Sequence, residues 1–240
     1  MTPIAFVESP FKDKYGVPRQ PILADNVQGK IKFAKDPDLK TAIKMLEGYS
    51  HLWVVFVFHS HGGKNWKPSI RPPKLGGRKK VGVLASRSPH RPNPIGISVV
   101  KIEGVEFKED GSFDVLISGM DLVDGTPVLD VKPYLPYTDA VVDAKVGWSA
   151  GEIKKYPVVF SEKAISFIDS VKESKKLQLA IQQILEIDPR PAYQQRENPI
   201  DQKKSQGASY GIEIVGYEVK YRIQDFGIYI MDIYSVNIIS

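Results

Sequence analysis

The chain contains no cysteine, which excludes disulfides, thiolate nucleophiles, cysteine-based zinc sites and iron–sulfur clusters. The phosphate-binding fingerprints of common nucleotide folds are missing too. Neither G-x-G-x-x-G nor G-x-x-x-x-G-K-[ST] occurs, so a Rossmann dinucleotide site and a P-loop NTPase are both unsupported. No G-x-S-x-G marks a serine hydrolase elbow. No apolar run approaches the ~20 residues a membrane span needs, and Met1-Thr2-Pro3-Ile4 lacks the basic start and apolar core of a signal peptide. A cytoplasmic protein without membrane contact is expected. The sharpest shortage is of negative charge. Residues 48–102 hold no Asp or Glu, yet carry ten Lys/Arg and all four histidines. The whole chain has 33 basic and 28 acidic side chains, so outside this window acids outnumber bases by 28 to 23. Positive charge without carboxylate partners is the footprint of a surface that meets a polyanion. Here it is interleaved with Pro, Gly, Trp and His, which marks a folded loop surface rather than a charged tail.

What is present reads first as β structure. Residues 53–58 form a continuous apolar run rich in β-branched and aromatic side chains, as expected of a strand buried on both faces. Residues 81–84, 95–102 and 113–117 are further strands, bounded by Gly76-Gly77, Pro92-Asn93-Pro94 and a hairpin turn at Glu109-Asp110-Gly111-Ser112. One helix stands out, with Asp36 as N-cap, Pro37 at its first position and Leu39, Ile43 and Leu46 at core spacing, ending at Gly48. Short strands with few helices between them predict a mainly β barrel or sandwich. Composition changes near Tyr137. The spacing predicts an N-terminal domain over 1–139, a polar connector over 140–157 and a small α+β C-terminal domain over 158–240. In the last of these, Ser161 caps a helix, a second runs over 177–187 until Asp188-Pro189-Arg190-Pro191 stops it, and 210–223 pairs with 226–234 as one terminal hairpin.

Three segments carry candidate chemistry. In Ser88-Pro89-His90-Arg91-Pro92-Asn93-Pro94, three prolines fix backbone angles and remove donors, so Arg91 and Asn93 are pre-positioned for phosphate or a base edge. The alternative is a rigid structural turn, against which stands Arg87, four residues away with no acid near it in sequence. Asp121-Leu122-Val123-Asp124-Gly125-Thr126-Pro127 leads into Asp130-Val131-Lys132-Pro133-Tyr134, where Asp130 and Lys132 share one strand face and either pair or both meet a ligand. Pro18-Arg19-Gln20-Pro21 frames a third rigid loop, in which Gln20 has the amide needed to read an adenine edge. His59-Ser60-His61 places two rings on one strand face, and His90 can add a third. The surrounding positive charge and absent carboxylates oppose a divalent cation, so no metal is expected.

These segments occur in the same order in the TsaA-like, TrmO-type tRNA methyltransferases, which the chain resembles over nearly its whole length. The resemblance rests on Pro18-Arg19-Gln20, Ser50-His51-Leu52-Trp53, Arg71-Pro72-Pro73 with Gly76-Gly77, the proline-rich 88–96 segment, Asp124-Gly125-Thr126-Pro127, Asp130-Val131-Lys132-Pro133-Tyr134 and Asp188-Pro189-Arg190-Pro191-Ala192-Tyr193. It implies a non-Rossmann β-barrel that binds S-adenosylmethionine, acts as a homodimer, and N6-methylates the threonylcarbamoyl-modified adenosine 3′ of the anticodon in tRNA. Carried over, the cofactor is expected near Gln20, Pro21, His59, Ser60, His61, Arg87, Pro89, Asp121, Leu122 and Val123. The chemistry is expected from Asp124, Asp130 or Tyr134 as proton acceptor, with Arg91, Asn93 and Lys132 holding phosphate and the threonylcarbamoyl carboxylate. Pro89-His90 stands where some members have other residues, which counts against a direct role for His90. The alternative is a non-catalytic RNA-binding barrel, for which the basic window suffices.

Overall fold

The computed structural model describes residues 1–12, 16–18, 20, 21, 23–61, 66–225 and 227–236. Its first half holds β1 (Ala5–Glu8), β2 (Gln28–Phe33), α1 (Pro37–Ala42), β3 (His51–Val57), β4 (Ser69–Ile70), β5 (Val81–Gly82), β6 (Ile95–Phe107), β7 (Phe113–Ser118), β8 (Pro127–Pro133) and α2 (Pro136–Asp139). Six strands close an antiparallel barrel in the order β1-β2-β7-β6-β3-β8, while β4 and β5 pair in a separate two-stranded sheet. Alternation builds the interior. Leu52, Val54 and Phe56 point inward from β3, and Ile31, Phe33, Val100, Phe113, Val115, Ile117 and Val128 join them. Each such burial contributes about 1.5–3 kcal/mol. Phe33 and Phe113, direct cross-strand partners, stack with centroids 4.6 Å apart.

β3 is not buried on both faces as its unbroken apolar run predicts. Trp53, Val55 and Val57 face outward and are only half-covered, because a barrel wall has one inner side. Register irregularities in β6 between Ile102 and Gly104, and in β3 opposite β8 between Val55 and Phe56, supply the bending that closure requires. Gly96 lies under the Phe56 ring, where an added Cβ would meet Cζ at 2.2 Å.

Asp36 caps α1 as expected, accepting from the amides of Asp38 and Leu39. The helix ends at Ala42, well before Gly48, because Met45 adopts a left-handed φ of +68° and starts a 3₁₀ turn over Leu46–Gly48. That break turns Leu46 as well as Ile43 onto the barrel core.

The second half contains β9 (Val158–Phe160), α3 (Glu162–Asp169), α4 (Ser174–Glu186), α5 (Ala192–Glu197), β10 (Ser209–Ile214), β11 (Tyr217–Gln224) and β12 (Gly227–Ser235). Its sheet order is β10-β11-β12-β9, with β9 parallel to β12. Ser161 caps α3 by accepting from the Ala164 amide at 3.1 Å. The predicted single hairpin is in fact two. Val215 and Gly216 take positive φ values of 53° and 77°, a tight turn that splits 210–223 into β10 and β11. Phe226, between β11 and β12 in the sequence, lies outside the described residues.

Ile168, Ile181, Ile184, Leu185, Val219, Ile228 and Ile230 build the core between α3, α4 and this sheet. Phe11, Ala24 and Val27, from the loop between β1 and β2, belong to the same core. A loop of the barrel is therefore packed into the second half of the chain.

Candidate active site

Barrel topology gathers the site. Gln28 pairs with Ser118, Val57 with Ile95, and Phe6 with Pro127. The end of β1, start of β2, end of β3, start of β6, end of β7 and start of β8 thus share one mouth. Three connections leave and re-enter the barrel at this end, residues 9–27, 58–94 and 119–126. They carry all ten residues singled out for the cofactor, together with Arg91, Asn93 and Asp124.

Two of these loops are joined directly, since Arg87 Nη1 donates to Gln20 Oε1 at 2.7 Å. Asp121, in the third, accepts from the buried Ser98 hydroxyl at 2.6 Å and lies in the field of Arg87. The acid that sequence neighbours did not offer Arg87 thus comes from another loop. Asp121 keeps partial exposure as a residue, but its carboxyl is largely enclosed. Burial lifts its pKa to about 6, against the opposing pull of Ser98 and Arg87. A carboxyl so placed is partly protonated near neutrality and gains most from an added cationic partner.

Arg91 folds back on its own loop, Nη1 donating to the carbonyl oxygens of Ser86 at 2.6 Å and Val83 at 3.2 Å. Asn93 is exposed, and its carbonyl accepts from the Ile95 amide at 2.8 Å. Leu122 is buried in the barrel core, so only its backbone can meet a ligand. Val123 O accepts from the Thr126 hydroxyl at 2.6 Å, which fixes that turn.

His59 and Ser60 are exposed in a 3₁₀ turn, with Ser60 Oγ 3.1 Å from His59 Nε2. The expected pair of rings on one strand face does not form, because β3 stops at Val57. The side chain of His61, and Arg19 and residues 62–65, lie outside the described residues. Among the described residues no group of three His, Asp or Glu side chains is arranged to hold a metal ion.

The residues expected to handle the acceptor separate into two places. Asp124 stays at the mouth, where Oδ1 accepts from the Ser9 amide at 2.8 Å and Oδ2 pairs with Lys12 at 2.9 Å. Burial pushes its pKa up, but the Lys12 and Ser9 hydrogen bonds outweigh this and leave it below the ordinary range. Asp130 and Lys132 do share a strand face, and pair at 2.9 Å. β8 carries them away from the mouth, for Lys132 stands opposite Trp53 and Pro133 opposite Leu52. Tyr134 lies against Trp53 and His51, with centroids 5.6 and 6.4 Å away, at the far end of β3. Six strand steps of about 3.3 Å put Tyr134 roughly 20 Å from the mouth of its own barrel, whereas Asp130, opposite Val55, is two to three steps, roughly 7–10 Å, from it.

Sequence reasoning missed Ser98. Its signal was there, a polar residue at an inward position of an otherwise apolar alternating strand. It also missed Trp148, whose indole Nε1 donates to Ala85 O at 2.7 Å. Two clefts open on the surface, the first beside the end of β1 and the start of β2 at this mouth, the second in the C-terminal half. One of about 470 Å³ is bordered by Glu8, Lys12, Lys30 and Glu103, and one of about 420 Å³ by Arg190, Tyr193, Tyr210 and Glu218. Beside the second, Arg190 is buried and gripped by Asp188 through Nε–Oδ1 and Nη2–Oδ2 contacts of 2.7 and 2.9 Å, so it braces the fold.

Fold and site define a closed-barrel protein with a polar, cation-bearing mouth, distinct from the dinucleotide-binding α/β folds. The tRNA-methyltransferase O N-terminal domain model matches residues 6–140, and the TrmO C-terminal domain model matches 153–236. The tRNA (adenine(37)-N6)-methyltransferase of Escherichia coli K12 is 38% identical over 93% of each chain. A Pseudomonas aeruginosa relative named for S-adenosylmethionine-dependent methyl transfer is 39% identical, covering 92% of this chain and 91% of that one. The crystal structure of TrmO from P. aeruginosa superposes with a TM-score of 0.73 at 34% identity, over 98% of this chain and 96% of that one. The chain belongs to the TrmO family.

Proposed function

We propose that this chain transfers a methyl group from S-adenosylmethionine to N6 of the threonylcarbamoyl-modified adenosine 3′ of the anticodon in tRNA, as a cytoplasmic homodimer. The observation that carries the reading is the convergence of Gln20, Arg87 and Asp121, from three loops, on one barrel mouth. Their chemistry fits the cofactor. Asp121 is an enclosed carboxyl suited to a cationic centre, Arg87 a guanidinium suited to a carboxylate, and Gln20 an amide suited to an adenine edge. S-adenosylmethionine supplies an already electrophilic methyl group, so the protein's task is alignment rather than activation of the donor.

The acceptor nitrogen is conjugated to a purine and a carbonyl, and becomes a competent nucleophile only as its proton leaves. We assign that proton to Asp130, beside Lys132 and Tyr134. Asp124, already bound to Ser9 and Lys12, holds its loop instead. Asp130 stands on the outer wall of β8 opposite Val55, outside the loops that form its own barrel's mouth, and a second copy supplies it in this reading. The outer face of β3 and β6 supports such pairing. Trp53, Val55 and Val57 are half-covered there, and Ile97, the cross-strand partner of Val55, is 52% exposed. Arg71, Arg78, Lys79 and Lys80 are exposed and make no ion pair among the described residues, and they face tRNA phosphates in this reading. Barrel residues 1–139 would carry the chemistry, with 140–157 as connector and 158–240 as a second module beside the tRNA.

The decisive experiment mixes Asp121→Asn and Asp130→Asn chains, each inactive alone, and assays methyl transfer to tRNA. Sites shared between subunits recover roughly a quarter of wild-type activity, since half the dimers are mixed and one of their two sites is intact. No recovery would overturn the shared site. Retained tRNA affinity without any uptake of S-adenosylmethionine by the wild-type chain would leave a non-catalytic RNA-binding barrel.

A further inference from the structure

Both loops that carry the Gln20–Arg87 hydrogen bond are held from outside by the second half of the chain. Phe11, Ala24 and Val27 of the first loop are buried in the C-terminal core. Next to them, Gln183 of α4 accepts from the Asn26 amide at 3.2 Å and donates to Asp25 Oδ1 at 2.5 Å. The second loop is gripped by the connector. Trp148 Nε1 donates to Ala85 O at 2.7 Å, two residues before Arg87. Lys74 Nζ donates to Ser149 O and, at 2.7 Å, to Gly151 O, which fastens the connector turn Gly147–Ser149 over the same loop. Inside that loop Arg91 takes the carbonyls of Val83 and Ser86. Of the two carbonyls between those, that of Ala85 is supplied with its donor by the connector.

We propose that Trp148 and Gln183 are positioning residues for the cofactor site, and that the connector and C-terminal module act as its frame by holding residues 83–91 and 9–27 so that Arg87 meets Gln20. Neither residue touches the mouth itself. Each acts through the backbone or side chains of the loop it holds. The inference rests on assigning the mouth to S-adenosylmethionine, and it gives the C-terminal module a task within the barrel's own chemistry in addition to any contact with tRNA.

The test uses the full chain and two variants, Trp148→Phe and Gln183→Leu, which remove hydrogen-bonding groups while keeping bulk. Calorimetric titration with S-adenosylmethionine is expected to show the dissociation constant rising between about two-fold and ten-fold in each, the factor one hydrogen bond is worth. In the ligand-free Trp148→Phe chain, amide hydrogen exchange should quicken over residues 83–91 while the barrel strands keep their protection. In steady state, KM for S-adenosylmethionine should rise with kcat retained. Trp148→His, which restores a ring N–H donor, should recover part of the affinity. Wild-type affinity in both variants, or a fall in kcat with KM unchanged, overturns the inference while leaving the cofactor assignment intact. No uptake by the wild-type chain overturns both.

Discussion

Asp121→Asn is expected to stabilise the ligand-free chain relative to wild type, by more in alkaline buffer than near pH 5, and to weaken cofactor binding. Enclosure raises the folded-state pKa of Asp121 from 3.8 to about 6, against the pull of Ser98 and Arg87. Each unit is worth about 1.4 kcal/mol, so keeping this carboxylate ionised costs the folded chain up to about 3 kcal/mol. Partial exposure makes that an upper bound. The folded state binds the proton more tightly than the unfolded one, so stability falls as pH rises from 3.8 through 6, and the whole cost is present above that window. Roughly half is already present at pH 5. Asn carries no charge and keeps a carbonyl oxygen for the Ser98 hydroxyl. Urea unfolding of both chains at pH 5 and pH 8, fitted with a common slope, measures the difference. A gain of up to about 3 kcal/mol at pH 8, shrinking to about half at pH 5, is the expected result. Equal effects at the two pH values, or a loss at pH 8, would refute the account of Asp121 as an enclosed, under-compensated acid. The same variant should bind S-adenosylmethionine more weakly at pH 8, which would make this a residue retained for function at the expense of stability.

Three further outcomes follow from packing and hydrogen bonding. Arg91→Ala removes the donor shared by the Val83 and Ser86 carbonyls and should lower stability by about 1–3 kcal/mol in denaturant unfolding. An unchanged unfolding free energy would mean that the bracket is idle and that any lost methyl transfer is purely chemical. Gly96→Ala should cost about 1–3 kcal/mol through collision with the Phe56 ring, and Phe56→Leu in the same chain should relieve part of it. Strict additivity of the two substitutions would refute the collision. Arg190→Met leaves Asp188 buried without its partner and should destabilise by about 3–5 kcal/mol, with Asp188→Asn in the same chain restoring much of the loss. A thermal midpoint within a degree or two of wild type would show that Asp188 finds other compensation.

Local rules were legible where one short segment decides its own structure. Asp36 and Ser161 cap helices because a short oxygen-bearing side chain can reach the next free amides. The Asp110-Gly111 turn joins β6 to β7, because Gly111 takes a φ of +87° that other residues resist. Legibility ended where conformation depends on what lies across the barrel. The apolar run over 53–58 reports hydrophobicity without saying how many faces are covered, and the answer depends on closure of the barrel. Met45, at positive φ, breaks a helix without any glycine or proline beside it to announce it, and the Val215-Gly216 turn is a lone glycine inside an otherwise unbroken alternating pattern.

The same limit governs the site, and distance along the chain is a poor guide there. Gln20 and Arg87, 67 positions apart, are hydrogen-bonded, whereas Asp124 and Tyr134 stand at opposite ends of the barrel although little more than one strand separates them. An antiparallel barrel has this consequence in general. It brings together loops distant in sequence and separates the two ends of every strand by the barrel's height. A motif that runs from a mouth loop down a strand, as residues 121–134 do, therefore cannot serve one pocket in one chain along its whole length. Either its far half is structural or it faces a different pocket, and Asp130, Lys132 and Tyr134 lie close to the uncovered outer face of β3. That geometry turns a contiguous motif into a reason to expect two chains, and the mixed-variant assay separates a shared pocket from a purely structural tail.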